Sequence, residues 1–154
     1  MNLPQSQLEI KVKKMREDAI LPLRATGGAA AADLYAVCPT EGVVILPGQR
    51  VTIPTGVAIQ LPSPAYVALV FARSGLGIKK GIALSNGVGV IDSDYRGEIC
   101  VGLINLSDEP YTVQNGERIA QLAVMPVCVT AFTQVEQLED TARGANGFGS
   151  TGSR

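Results

Sequence analysis

The chain has 154 residues, a formal charge of −1 at pH 7 and no histidine, a length that suits one domain burying roughly two-thirds of its unfolded surface. Its near-neutral balance gives no electrostatic footprint for nonspecific nucleic-acid binding, and no run approaches the ~20 apolar residues of a membrane span. Three widely spaced cysteines, Cys38, Cys100 and Cys128, argue against a zinc site or a secreted disulfide framework and fit a reducing cytoplasm.

Residues 8–12 alternate apolar and charged side chains and predict the first strand. Glu9, Lys11, Lys13 and Lys14 leave no apolar core for a signal peptide. At residues 30–36 one carboxylate, Asp33, sits inside an apolar run. Burying it unpaired is costly, so it needs hydrogen-bond donors or a cation, for instance Arg73. Further strands are predicted over residues 43–46, 51–53, 57–61 and 66–71, between Pro and Gly punctuation.

Arg73-Ser74-Gly75 joins a planar cation, a hydroxyl and a permissive backbone at the start of one short helix over residues 74–80, opened by a serine cap and closed by Gly81. Such a tripeptide serves equally as a cap with a surface arginine or as a receptor for phosphate.

Residues 86–99, Asn-Gly-Val-Gly-Val-Ile-Asp-Ser-Asp-Tyr-Arg-Gly-Glu-Ile, read as a hairpin carrying an active site. With no histidine in the chain, acid or base chemistry falls to carboxylates, and Asp92 is the best placed. By itself the segment also reads as turn formers with a core tyrosine, and Asp94 is taken as a turn residue.

The remaining strands are predicted over residues 99–104, 111–113, 119–124 and 127–135. Cys100 and Cys128 fall in these apolar stretches and are read as buried hydrophobes. Gln121 is the polar exception in its strand. Strand alternation places Arg118 on the opposite face from Gln121, in an ion pair with Glu117 or another acid. After Glu139 the chain turns glycine-rich. A disordered end is the plain expectation, but Phe148 between glycines, with Arg143 before it, suits a lid over an anionic ligand.

In order, five segments resemble the five motifs of the trimeric deoxyuridine triphosphatase (dUTPase) family: residues 32–36 (Ala-Asp-Leu-Tyr-Ala), 73–81 (Arg-Ser-Gly-Leu-Gly-Ile-Lys-Lys-Gly), 89–97 (Gly-Val-Ile-Asp-Ser-Asp-Tyr-Arg-Gly), 116–122 and 143–152. Departures from the family pattern are Ala31 and Ala32 before the first aspartate, Ala72 where proline is usual, and Asn146 where glycine is common.

The resemblance implies an all-β, jelly-roll-like (β-clip) antiparallel barrel or sandwich with one short helix. It implies a β domain over residues 1–138 and a flexible glycine-rich C-terminal lid over residues 139–154. The implied reaction is hydrolysis of dUTP to dUMP and pyrophosphate, with Asp92 as general base for water attack on the α-phosphorus. Mg2+ would be held chiefly by the substrate phosphates, with Asp33 reaching it through water. Arg73, Ser74, Gly75, Gln121 and Arg143 would meet the phosphates, Asn86 the uracil edge, Tyr95 the sugar and Phe148 the base. A cytoplasmic homotrimer with shared sites is implied as well.

Two alternatives differ in sequence. The related dCTP deaminases carry a catalytic glutamate at the position of Gly102. A catalytically silent jelly-roll subunit would need neither Asp92 nor the tail.

Overall fold

The structure, a computed structural model, describes residues 8–145. Its elements run β1 (Lys11–Lys14), β2 (Ala32–Tyr35), β3 (Val43–Ile45), β4 (Arg50–Pro54), β5 (Val57–Gln60), β6 (Tyr66–Phe71), α1 (Ser74–Lys80), β7 (Ile82–Leu84), β8 (Gly89–Ile91), β9 (Cys100–Asn105), β10 (Tyr111–Val113) and β11 (Arg118–Pro126). The strands form sheets ordered β2-β11-β6-β8, β4-β9-β7, β1-β5 and β10-β3. Every ladder is antiparallel. None of these sheets closes on itself, so among the described residues the sandwich is realised and the barrel is not.

Alternation explains the core. In β9, Val101, Leu103 and Asn105 point inward, and Val101 and Leu103 join Leu34, Ile45, Ile53, Val57, Ile82, Val113 and Ile119 in one buried cluster contributed by all four sheets. Asn105 is the polar member. Its amide donates to the carbonyls of Ile45 (2.8 Å) and Glu109 (2.7 Å) and accepts from the Ser107 hydroxyl (2.7 Å), so its burial leaves no group unmatched. The longest strand, β11, is central: its first half pairs β2 and its second half pairs β6.

Several expectations are corrected. The run over residues 127–135 forms no strand: beyond the bond from Val127 N–H to the Ala65 carbonyl, Val129, Phe132 and Val135 stand exposed, because the chain's own ladders end at Pro126. Cys128 lies in that segment and Cys100 faces outward at the start of β9, so both are exposed. The N-cap of α1 is Arg73, and no side chain caps the helix. Its end is as expected, with Gly81 left-handed at φ 67°, a conformation glycine adopts without strain. No helix among the described residues is long and apolar enough to cross a membrane.

Candidate active site

Two groups of the sequence-selected residues are assembled, one around Asp33 and one around a cavity beside β8. The first is built around Asp33, which is 3% exposed at the centre of β2. Arg73 Nε donates to its Oδ1 (3.1 Å) and Arg118 Nη1 to its Oδ2 (3.2 Å), while Arg73 Nη1 donates to the Arg118 carbonyl (3.0 Å). The expected Arg73 partner is found, and the acid for Arg118 is Asp33. Gln121 lies directly opposite Asp33 across the ladder, hence on the same face. The expected opposition of Arg118 and Gln121 is corrected by a register shift between Arg118 and Ala120. Arg118 pairs with Tyr35, two residues from Asp33, so the bulge turns both side chains to one side.

Ser74 and Gly75 open α1 next to this group. The first turn of the helix holds no acidic residue and has no side-chain cap. Two guanidinium groups on one carboxylate leave net positive charge, which suits an anion.

The second group surrounds a cavity of about 300 Å³ whose lining includes Asn86, Asp92, Tyr95 and Glu98, with Val70, Leu84, Ile91 and Ile99 as apolar walls. The expected hairpin is corrected. Its arms do not pair with each other: β8 pairs with β6, and β9 with β4 and β7. The space left between the two arms is the cavity. Asp92 opens a turn closed by the Tyr95 N–H donating to its carbonyl (3.2 Å), with Asp94 exposed inside that turn. Arg96 braces it through bonds to the carbonyls of Ser93 (2.8 Å) and Tyr95 (2.9 Å). Tyr95 is 46% exposed and its hydroxyl donates to the Glu98 carbonyl (3.0 Å).

Sequence reasoning missed Arg96 and Glu98. Their signal was charge: they are the two ionisable residues between Tyr95 and β9. Arg143 lies in a turn where the Gly144 N–H donates to the Thr141 carbonyl (3.0 Å) and hydroxyl (3.1 Å). Phe148 and Asn146 lie outside the described residues.

Gly102 has no carboxylate to offer, and a Cβ there would come within 2.5 Å of the Ser85 hydroxyl oxygen at the cavity's edge. Partial burial, and then Glu98, push the Cys100 thiol's pKa up, opposed by Arg16. Both effects disfavour its thiolate form.

Among the described residues no three Cys, Asp or Glu side chains gather into a metal cage, and an arginine already engages each Asp33 oxygen. A carboxylate oxygen accepts more than one hydrogen bond, so Asp33 retains capacity for a water. This donor set fits Mg2+, which keeps several waters and takes few protein ligands when phosphates carry it.

The sequence model of the dUTPase family matches residues 17–152. The chain is 52% identical over 149 residues to the deoxyuridine 5'-triphosphate nucleotidohydrolase of Desulfitobacterium hafniense, covering 96% of this chain and 98% of that one. It is 50% identical over 147 residues to the same-named protein of Neisseria meningitidis serogroup B, covering 96% and 97%. Among solved structures, the dUTPase of Staphylococcus bacteriophage 80alpha with dUpNHpp matches at a TM-score of 0.83 and 29% identity, over 94% of this chain and 98% of that one. A mutant dUTPase from phage phi11 of S. aureus, described for coordination of a structural Mg(II) ion, matches at 0.76 and 25% identity, over 86% and 99%.

Proposed function

The chain belongs to the dUTPase family, and from that premise we propose that it cleaves dUTP to dUMP and pyrophosphate with Asp92 as general base. The observation that carries this reading is the meeting of Asn86, Asp92 and Tyr95 on one cavity, an amide for a base edge, a carboxylate for a water and a ring for a sugar.

Asp92 orients the attacking water and takes its proton as the water's oxygen bonds to the α-phosphorus and pyrophosphate leaves in line. A positioned base of this kind contributes about 10²–10⁴-fold. Arg73, Ser74, Gly75, Gln121 and Arg143 hold the phosphates, and their donors stabilise the charge that develops on the leaving group. Asp33 is the residue that would hold a magnesium ion, through a water, and the ion would add charge neutralisation beside the phosphates. Asn86 reads the uracil edge, since a mismatched base leaves buried polar groups unpaired. Tyr95 packs on the sugar and leaves no room for a 2′-hydroxyl, and Phe148 stacks on the base from the lid over residues 139–154, which the β domain over residues 1–138 carries.

The site is shared between the subunits of a homotrimer. Two observations support this. Ala68 of β6 pairs with Ile91, next to Asp92, whereas Arg73 lies five residues further on, about 16 Å of extended chain. That spacing is compatible with Asp92 and Arg73 serving different sites. Phe132, 96% exposed, and Leu138, 86% exposed, also present apolar surface that another subunit would cover. Cytoplasmic placement, with removal of dUTP keeping uracil out of DNA and dUMP feeding thymidylate synthesis, completes the reading.

The test is incubation with magnesium and, separately, dUTP, dCTP, dTTP and UTP, assaying pyrophosphate and ammonia. Pyrophosphate from dUTP alone, lost in Asp92→Asn, is expected. Ammonia from dCTP, or undiminished turnover by Asp92→Asn, would overturn the assignment.

A further inference from the structure

Tyr95 does not stand on its own turn alone. Its ring folds back over Gly97, where a Cβ would lie 2.4 Å from the hydroxyl oxygen and 2.6 Å from Cζ. Its tip is tied to the main-chain carbonyl of Glu98. The Glu98 side chain is anchored in its turn. Oε1 accepts from the Gly56 N–H (2.8 Å) in the turn between β4 and β5. The same carboxylate accepts from Arg16 Nε at 3.1 Å and Arg16 Nη2 at 3.5 Å.

The next residue is fastened to the same turn. Ile99 N–H donates to the Val57 carbonyl (2.8 Å), and the Ile99 carbonyl accepts from Thr55 N–H (3.1 Å) and from the buried Thr55 hydroxyl (2.6 Å). The turn is backed by the N-terminal segment, whose Met15 N–H donates to the Gly56 carbonyl (2.7 Å). A continuous chain of hydrogen bonds thus runs from Met15 and Arg16 through Gly56 and Glu98 to the tyrosine hydroxyl. No bond in it belongs to the phosphate-binding group.

We propose that Glu98 is a positioning residue that fixes the Tyr95 ring and thereby sets the choice between deoxyribose and ribose, with the turn at Gly56 and the N-terminal segment as its support. The proposal rests on the reading of Tyr95 as the surface that packs on the sugar. A tyrosine has two side-chain torsions, and a bond at its tip removes most of their remaining freedom. Without the Glu98 carboxylate, the Gly56 N–H loses its partner, and the peptide that carries the ring-holding carbonyl keeps only one of its two anchors, the Ile99 N–H bond to Val57. A ring free to tilt admits the extra hydroxyl of a ribonucleotide.

The experiment measures kcat/KM for dUTP and UTP in Glu98→Ala, Glu98→Gln, Tyr95→Phe and Tyr95→Ala. In parallel, 19F spectra of fluorotyrosine-labelled protein carry resonances from only four tyrosines. Glu98→Ala is expected to lower the dUTP/UTP ratio by about 3- to 10-fold, the worth of one hydrogen bond, and to shift the Tyr95 resonance. Glu98→Gln, which keeps an oxygen for Gly56, restores most of both.

An equal fall for both nucleotides, with the Tyr95 resonance unmoved, would show a merely structural role and overturn the proposal. If Glu98→Ala does not fold, Tyr95→Phe decides, because it deletes only the bond to the carbonyl; an unchanged ratio in that variant overturns the proposal. If Tyr95→Ala itself leaves the ratio unchanged, the sugar reading fails, and the 19F response to Glu98→Ala still decides whether Glu98 positions the ring.

Discussion

Arg118 and Gln121 stand on the same face of β11 although three residues separate them, because the ladder to β2 slips between Arg118 and Ala120. The slip delivers the Arg118 guanidinium to the Asp33 carboxylate that Arg73 already holds. Asp33 neutralises one of the two arginines, and the surplus positive charge is available to an anionic substrate. The bonds to Asp33 and to the Arg118 carbonyl use two of the five N–H groups of Arg73, so its fork still has donors for phosphate.

Asp33→Asn is therefore expected to strand two guanidinium groups without their shared counter-charge. Loss of one partner from a buried ion pair costs about 3 kcal/mol, to be read from urea unfolding. Arg118→Gln should cost less, about 0.5–1 kcal/mol, since that side chain is half exposed. Both should raise KM for dUTP. An Asp33→Asn protein as stable as the parent would refute the shared-carboxylate account.

The elements that sequence patterning foresees best are those whose evidence is local. The β6 and β10 boundaries and the helix with its Gly81 stop agree with expectation, because alternation, turn residues and caps act within a few positions. What escaped depends on distant partners. β2 and β7 are four and three residues long and exist only because β11 and β9 lie beside them. The bulge in β11 is invisible to a strict two-residue period, so the Arg118 face was misjudged. The apolar pattern of residues 127–135 resembles a strand but meets no ladder in its own chain. At the site, Asp92, Tyr95 and Asn86 were legible as a motif, whereas the support from Glu98 needs the Gly56 turn to be seen.

Gly97→Ala should injure activity through Tyr95. The position does not have a positive φ, so alanine is tolerated by the backbone, but its methyl would sit 2.4 Å from the tyrosine hydroxyl oxygen. The ring must swing aside. Overpacking of this kind costs about 1–3 kcal/mol, and kcat/KM for dUTP should fall about 10-fold or more, with discrimination against UTP weakened. Unaltered kinetics in a folded Gly97→Ala protein would mean that the ring position does not matter.

The Tyr111 hydroxyl donates to Glu117 Oε1, and burial first, then that bond, raises its pKa well above the ordinary tyrosine value. The folded state favours the protonated phenol. The stability this confers is complete below pH ~10, where the unfolded tyrosine begins to ionise, and is lost as pH climbs from there toward the folded value. Urea unfolding between about pH 8 and pH 11 should show an alkaline decline that Tyr111→Phe flattens. Parallel declines in the two proteins would show that the phenol does not contribute.

If Asp92 and Arg73 of one site come from different subunits, two dead proteins should repair each other. Asp92→Asn lacks the base and Arg73→Ala lacks a phosphate ligand, so each alone is inactive as a homotrimer. When the two 16.1 kDa chains are mixed and allowed to exchange, some interfaces combine an intact Asp92 with an intact Arg73. Random exchange should restore about a quarter of the parental activity. Phe132→Asp, which places a charge on the exposed apolar segment, should shift sedimentation toward monomer and make activity fall on dilution. Absence of complementation after demonstrated exchange would locate both residues of a working site on one chain. The gap between the two groups along β6 would then have to be bridged within the monomer.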